Sequence, residues 1–301
     1  MSRLFDAIAG KARGFQRRLA RQRGSAADRA LRAAAAREPY VYDRERYVHH
    51  YMEVRTPSSS TFSVNHLDHG PVVEAAAPLA PAPHVIHTFW TGFTPMSPTR
   101  RRNLDALQAM NPEAELVVIT PENLDRILVP DHPLPPGYAG LSEMHRSDYL
   151  RSYTMLFHGG IYCDVKAMTA PWGPTVERLN ADPELWAAGP EEITAEHASP
   201  VTGPLGDDQR RRYFEIPSQM GFAFKPGSPL AQEWFDEVQR RMRYFEDLLE
   251  RHPAASPHDS SADYPVPWAD LHGHVLSPLL LKYRPHVIAD PDLRFDISAY
   301  R

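Results

Sequence analysis

The stretch from Glu143 to Lys166 constrains the fold more than any other part of this chain. Tyr149, Leu150, Tyr153, Leu156 and Phe157 fall on one face of a helix read from Glu143 to Phe157. Gly159-Gly160 then ends that helix, because glycine enters the left-handed conformation that closes a helix without a steric penalty. Ile161 to Lys166 follows as a strand. Alternate side chains on a strand share a face, so Tyr162, Asp164 and Lys166 point one way and Ile161, Cys163 and Val165 the other. The second set is core material.

Similar signals alternate on both sides. Val85 to Trp90 and Leu116 to Ile119 read as short buried strands, Ser97 to Met110 as a helix with Pro98 in its first turn, and Pro121 to Leu128 as a short helix. A strand near Gly221 to Phe224, a long helix from Pro229 to about Glu250 and a last helix around Trp268 to Tyr283 come later. This order predicts an α/β domain with a mostly parallel central sheet over residues 84–301. The run Ala75 to Pro83 reads as a stiff Ala/Pro linker marking its start, within an extension over residues 39–83 whose Tyr40, Tyr42 and Tyr47 can pack on the body.

Charge divides the chain unevenly. Residues 1–38 carry ten basic and three acidic side chains, +7, which leaves −12 on residues 39–301 of a chain whose net charge is −5. An acidic body argues against nucleic acid as a partner. Residues 1–38 read as a basic helical or disordered segment. Leu4, Phe5, Ile8, Phe15 and Leu19 among its arginines suit an interfacial helix on an anionic membrane, and a solvated tail or oligomer contact is the equal alternative. A single cysteine excludes an intrachain disulfide framework. With no apolar run of membrane-spanning length and no signal-peptide core, a cytoplasmic location is expected, at the inner face of the plasma membrane if the basic segment binds lipid.

Asp148 and Arg151 are three residues apart, so they project from neighbouring points of one helix face. Taken alone they are an ordinary intrahelical ion pair. The strand that follows puts a carboxylate and an ammonium, Asp164 and Lys166, together at the carboxyl end of a parallel strand, where open α/β sheets bind ligands. With that turn and strand downstream, the functional reading of Asp148 and Arg151 is favoured over the ion pair. Several clustered carboxylates, as a metal-dependent phosphotransferase or nuclease needs, are not found there. His87 reads as a buried core histidine, Cys163 as core, and Arg210-Arg211-Arg212 as a solvated loop.

Ser147-Asp148-x-x-Arg151, then Gly159-Gly160-Ile161-Tyr162, then Asp164 resembles the GT-A glycosyltransferases with a DXD-containing sugar-binding region. That group includes capsular-polysaccharide and mannosyl transferases and the clostridial toxin glucosylators. The first strand, His84 to Gly92, and Asn111-Pro112 before the second are similar to the same family, and a weaker likeness continues through Gln219 to Phe222 and Trp268 to Pro278. The resemblance implies a GT-A-like nucleotide-sugar-binding domain and transfer of a hexosyl unit from a UDP- or GDP-sugar to a glycan, lipid-linked saccharide or capsular polysaccharide acceptor, with retention of configuration. It implies that Trp90 lies by the base, that Asp148 bonds ribose or sugar hydroxyls, and that Arg151 meets the sugar or diphosphate. Tyr162, Gly159 and Gly160 complete the substrate-binding turn. Asp164 is the implied ligand of a divalent cation, Mn²⁺ or Mg²⁺, beneath the diphosphate. Gln219 on the reacting face of the sugar, and His272 or His274 against metal or phosphate, are further carry-overs.

The chain departs from the family pattern where the second Asp of Asp-x-Asp is Lys166. An Asp-x-Lys form is similar to a bacterial subgroup. Either Lys166 pairs with the diphosphate and weakens or replaces the metal, or the chain is a catalytically inactive nucleotide-sugar-binding partner of an active transferase. The retained Asp148, Arg151 and Asp164 favour the first.

Overall fold

The computed structural model describes residues 25–47, 52–55, 61–64, 71–198, 203–259, 261 and 263–296. Its frame is a six-stranded sheet formed by β3 (Val85–Phe89), β4 (Glu115–Ile119), β5 (Gly160–Cys163), β7 (Ala187–Pro190), β8 (Gly221–Phe224) and β9 (Val287–Asp290). The order across the sheet is β4-β3-β5-β8-β7-β9. β3 runs parallel to both β4 and β5, and β7 runs parallel to β9. Only β8 runs against its neighbours. The chain is therefore α/β with a mostly parallel central sheet. Two small antiparallel pairs stand apart, β1 (Met52–Arg55) with β2 (Thr61–Val64), and β6 (Ala167–Met168) with β10 (Phe295–Asp296).

Both faces of the sheet are covered. On one, Tyr162 and Phe222 join Tyr149 and Tyr153 of α4 (Glu143–Phe157), Trp234, Phe235 and Phe245 of α8 (Pro229–Arg251), and Leu276, Leu279 and Leu280 of α9 (Gly273–Lys282). On the other, Ile86, Ile161 and Cys163 meet Leu107 of α3 (Pro98–Met110) and Val176 and Leu179 of α5 (Gly173–Ala181). The alternation read along residues 161–163 thus holds, and burial pushes the Cys163 thiol far up, leaving it inert. Beyond Cys163 the strand stops. The Lys166 N–H donates to the Asp164 carbonyl at 2.6 Å, a tight turn that takes Asp164 to Lys166 out of the pleat. The expectation of a strand to Lys166 is corrected by three residues.

Serines begin the helices. Ser97, Ser142 and Ser228 each accept a backbone N–H three residues on, at the starts of α3, α4 and α8. The expected helix over residues 121–128 is only a short 3₁₀ turn, Leu124–Ile127.

Gly159 (φ 64°) and Gly160 (φ 84°) form the reversal between α4 and β5. A Cβ on Gly159 would lie 2.6 Å from Pro226 Cδ and 2.7 Å from the Phe224 carbonyl oxygen. This turn sits at the start of β5, and neither glycine lines the cleft described below, so both are corrected from substrate-binding to structural. Gly159→Ala is expected to cost about 1–3 kcal/mol in chemical denaturation, from the left-handed φ and the backbone clash together.

Part of the basic segment belongs to the body. α1 (Ala26–Arg37) begins at an N-cap on Ser25 and docks through Arg32, whose guanidinium donates to both carboxylate oxygens of Glu191 at 2.9 and 3.0 Å and lies 4.5 Å from the Phe214 ring. Tyr213 donates to Asp28 at 2.5 Å. After α2 (Arg44–Tyr47), Arg46 pairs with Asp208 of α7 (Gly203–Arg211) at 2.7 Å, and Tyr47 is buried against the same carboxylate. The boundary at residue 38 is therefore corrected: the salt bridge and the apolar and aromatic contacts make residues 25–47 a strap on the domain. The apolar positions from Leu4 to Leu19 lie outside the described residues. The Ala/Pro run also lies on the body, its Ala82 backbone held by the Asn180 amide at 2.8 and 3.0 Å. The arginine cluster is no loop: Arg210 and Arg211 end α7, and Arg212 is half-buried and pairs with Glu215 at 3.3 Å.

Candidate functional site

The carboxyl ends of β3 and β5 open into a cleft of about 570 Å³. Asp164, the residue after β5, stands at its centre. Its backbone N–H is fixed by the Met220 carbonyl at 2.8 Å. Its carboxylate accepts from the Tyr162 hydroxyl and from Lys166 Nζ, and Arg151 Nη2 lies 3.4 Å away. Burial works against the charge on Asp164, but Lys166 and Arg151, with the bonds from Lys166 and Tyr162, hold its carboxyl below the usual carboxylate range. Burial pushes the Tyr162 phenol far up, so it remains a donor.

Arg151 links the cluster. Its Nη1 lies 3.3 Å from Asp148 Oδ1, donates to His272 Nδ1 at 2.8 Å and to the Gln219 carbonyl at 3.4 Å, and its guanidinium lies 4.3 Å from the Tyr162 ring centre. Because an arginine only donates, His272 Nδ1 must accept, and the ring proton sits on Nε2. Burial, then the nearby Arg151 charge, drives His272 well below its ordinary range, so it stays neutral. Its Nε2 is buried with no hydrogen-bond partner among the described residues, although the residue itself lines the cleft. Asp148 is pushed up to about 6 by burial, which outweighs the lowering by Arg151. The cluster thus holds one fixed anion, Asp164, one carboxyl that ionises near neutrality, Asp148, two cations and a neutral imidazole.

The loop that carries His272 is locked from beneath. Arg241, fully buried on α8, pairs with Glu237 at 2.8 Å and with Asp270 at 3.1 Å. His145 on α4 donates from Nε2 to the Pro267 carbonyl at 3.1 Å, while its Nδ1 faces the Tyr264 hydroxyl at 2.9 Å. Burial lowers His145 to about 4, which keeps it neutral in this role. His272 therefore meets Arg151 across the cleft although 121 residues separate them.

Most of the expected residues converge. Trp90, Asp148, Arg151, Tyr162, Asp164, Lys166, Gln219 and His272 all line the cleft. The Gln219 amide donates to Ser277, and its Oε1 is buried with no partner among the described residues. Trp90 is half-buried, with Nε1 donating to the Thr94 carbonyl at 2.6 Å and the Arg100 guanidinium 5.6 Å from its ring. His274 is set apart: it does not line the cleft, and its Nδ1 lies 3.4 Å from Asp270. It is corrected to a structural neighbour of the Arg241 cluster. His87 is buried and lowered to about 4 by that burial, in keeping with a core histidine.

Sequence reasoning missed Thr88, Thr91, Arg100, Glu143, Glu196, His197 and Trp268 on the cleft wall. Thr88 and Thr91 extend the β3 signal and could have been found by carrying that strand forward. Glu196 and His197, on the one-turn helix α6 (Ala195–Ala198), arrive through a fold that no local pattern reveals.

The donor set around Asp164 suits anions better than a dication. Its two oxygens already receive a phenol, an ammonium and a guanidinium, and no group of three or more His, Cys, Asp or Glu side chains among the described residues is arranged to hold a metal ion. No protein-family model matches the sequence, and no curated protein matches it. No helix among the described residues is long and apolar enough to cross a membrane.

Proposed function

We propose that this chain is a glycosyltransferase with a GT-A-like domain, moving a hexosyl unit with retention from a UDP- or GDP-sugar to a glycan or cell-surface polysaccharide acceptor. The observation that carries the reading is the Asp164–Lys166–Arg151 cluster at the end of β5, facing Asp148 and neutral His272 in one cleft. Departure of a nucleoside diphosphate concentrates negative charge on its phosphates, and fixed cations in a partly water-excluded cleft stabilise that charge more in the transition state than in the ground state. Lys166 and Arg151 supply the cations, with Arg100 a third on the same wall. Asp164 sets where they stand, and His272 steadies Arg151 by accepting its hydrogen bond. Asp148 accepts from ribose or sugar hydroxyls.

A Mn²⁺ or Mg²⁺ ion on Asp164 does not fit this reading. Such an ion is usually held by one or two carboxylates and substrate phosphates, and here the carboxylate is committed to cations that would repel it. No step is routed through a metal. That same commitment of Asp164 favours one alternative, an inactive subunit that binds nucleotide sugars for an active partner. Calorimetric titration with UDP and GDP tests the shared part of both readings: micromolar binding that persists in a chelator supports it, and no binding of either nucleotide overturns it.

Asp148 gives the site a pH dependence. Its folded-state value is raised, so the protonated form is favoured below about pH 6 and the carboxylate is present above it. A ligand whose hydroxyls donate to that carboxylate binds more tightly as pH rises through about 6. Donor affinity measured between about pH 5 and 8 is expected to show this step, and Asp148→Asn to remove it.

The cytoplasmic location and the contact of the basic segment with the inner face of the plasma membrane belong to the same proposal. Because residues 26–37 dock on the domain, the deletion that tests it removes residues 1–24 only. Loss of binding to anionic vesicles with the fold intact supports the contact.

A further inference from the structure

Trp268 lies on the wall of the cleft and is 60% exposed, whereas Trp172, Trp186 and Trp234 are buried and Trp90 is half-buried. A single exposed aromatic is ordinary on a protein surface. The surroundings of this one are not. Its ring centre lies 6.2 Å from that of His258, also on the cleft wall. The two segments that carry these rings are tied to the start of α4: the Met144 N–H donates to the Pro257 carbonyl at 3.2 Å, and His145 donates to the Pro267 carbonyl at 3.1 Å. That helix start brings Glu143 and Met144 to the same wall.

Glu143 is held in an unusual way. Its carboxylate occupies the space a side chain on Gly92 would need, with Oε1 and Oε2 both 2.0 Å from where that Cβ would stand. Its carboxylate has no hydrogen-bond or ion-pair partner among the described residues, yet it lines the cleft and is half-buried. The Thr91 hydroxyl, 2.5 Å from the Glu143 carbonyl, fixes the backbone behind it. The rim therefore presents an indole, a thioether and a positioned acceptor-only group side by side.

We infer that Trp268, His258, Met144 and Glu143 form the acceptor subsite, and that the acceptor group bound there is a neutral sugar ring. This rests on the transferase reading and deepens it. A pyranose has an apolar C–H face and a rim of hydroxyl donors. An exposed indole takes the first by shedding water from both surfaces, and a carboxylate with open lone pairs takes the second. Glu143 at the rim, with Glu196 also lining the cleft, disfavours an anionic ring such as a uronic acid, by like charge in a partly enclosed space. The neighbouring cations, Lys166 and Arg151, sit deeper with Asp164, so the anionic donor and the neutral acceptor occupy opposite charge environments within one cleft.

The test uses the full chain on an immobilised panel of glucose-, galactose- and mannose-ended disaccharides, with glucuronate-ended disaccharides as the anionic arm. UDP and GDP binding is measured in parallel. The wild-type chain is expected to retain neutral members and not the glucuronates. Trp268→Ala is expected to weaken retention about tenfold and Trp268→Phe less, with UDP or GDP binding and thermal stability unchanged, as suits an exposed side chain. Glu143→Gln is expected to narrow the neutral-over-anionic preference. Nucleotide binding without retention of any neutral disaccharide overturns the subsite, as does full retention by Trp268→Ala. Saccharide retention that depends on Trp268, in a chain that binds neither nucleotide, keeps the subsite and overturns the nucleotide-sugar reading.

Discussion

Lys166→Ala is expected to lower sugar transfer by about 10²–10³-fold, the usual effect of removing one preorganised group from a developing oxyanion. The fold should survive. Asp164 keeps the Tyr162 hydroxyl and Arg151, and the side chain lost is not part of either apolar core. The loss should fall mainly on kcat, because charge builds on the diphosphate as the sugar departs. Lys166→Arg retains the charge with a different shape and should recover part of the rate. A steady-state comparison of the three proteins, with thermal melts to show equal folding, checks this. Equal kcat in wild type and Lys166→Ala would remove Lys166 from the chemistry.

Arg151→Ala is expected to be worse, since it damages both fold and site. Arg151 lies within reach of two buried carboxylates, Asp148 and Asp164, and donates to His272. Removing one partner of a buried charge pair typically costs about 3–5 kcal/mol, because the remaining charge is left in a poor solvent. Asp164 retains Lys166, so most of the strain falls on Asp148. That gives the effect a sign with pH. Arg151 lowers the Asp148 value, so without it the folded-state value rises further above the unfolded one. A carboxyl with a raised folded-state value contributes stability at low pH that disappears as pH rises. The destabilisation should therefore be smaller near pH 5 than near pH 7, measured by urea denaturation at both. His272 also loses the neighbouring charge that lowers it, although burial continues to keep it neutral. An unchanged stability at neutral pH would mean that the cluster is better solvated than its burial indicates.

The legibility of the sequence followed how local each feature is. α4, the double-glycine turn and the start of β5 could be read because helix face, turn chemistry and strand alternation fall within one short segment. Asp148, Arg151, Asp164 and Lys166 lie on that segment, and their meeting in one cluster follows from it. β7, with the sequence Ala-Ala-Gly-Pro, gives no strand signal. It is a strand because β8 and β9 supply its hydrogen bonds on either side, a tertiary cause with no local trace. His272 was legible only as a candidate, since its placement depends on Arg241, buried on another helix, gripping Asp270. The role of His274 and of the two glycines was misjudged for a related reason. A motif shows which residues travel together, but not which of them turn toward the ligand. The docking of residues 26–37 was not foreseen because composition alone does not reveal that Arg32 has a buried carboxylate to meet.

Release of UDP or GDP from a panel of UDP- and GDP-sugars tests the central claim most directly, followed by coupled detection of the free nucleotide and by mass spectrometry of the sugar product, with and without a chelator. The account predicts that one donor is turned over, at a rate the chelator leaves intact and Lys166→Ala lowers by about 10²–10³-fold. Turnover of no donor in the panel, with or without added saccharide, would contradict it.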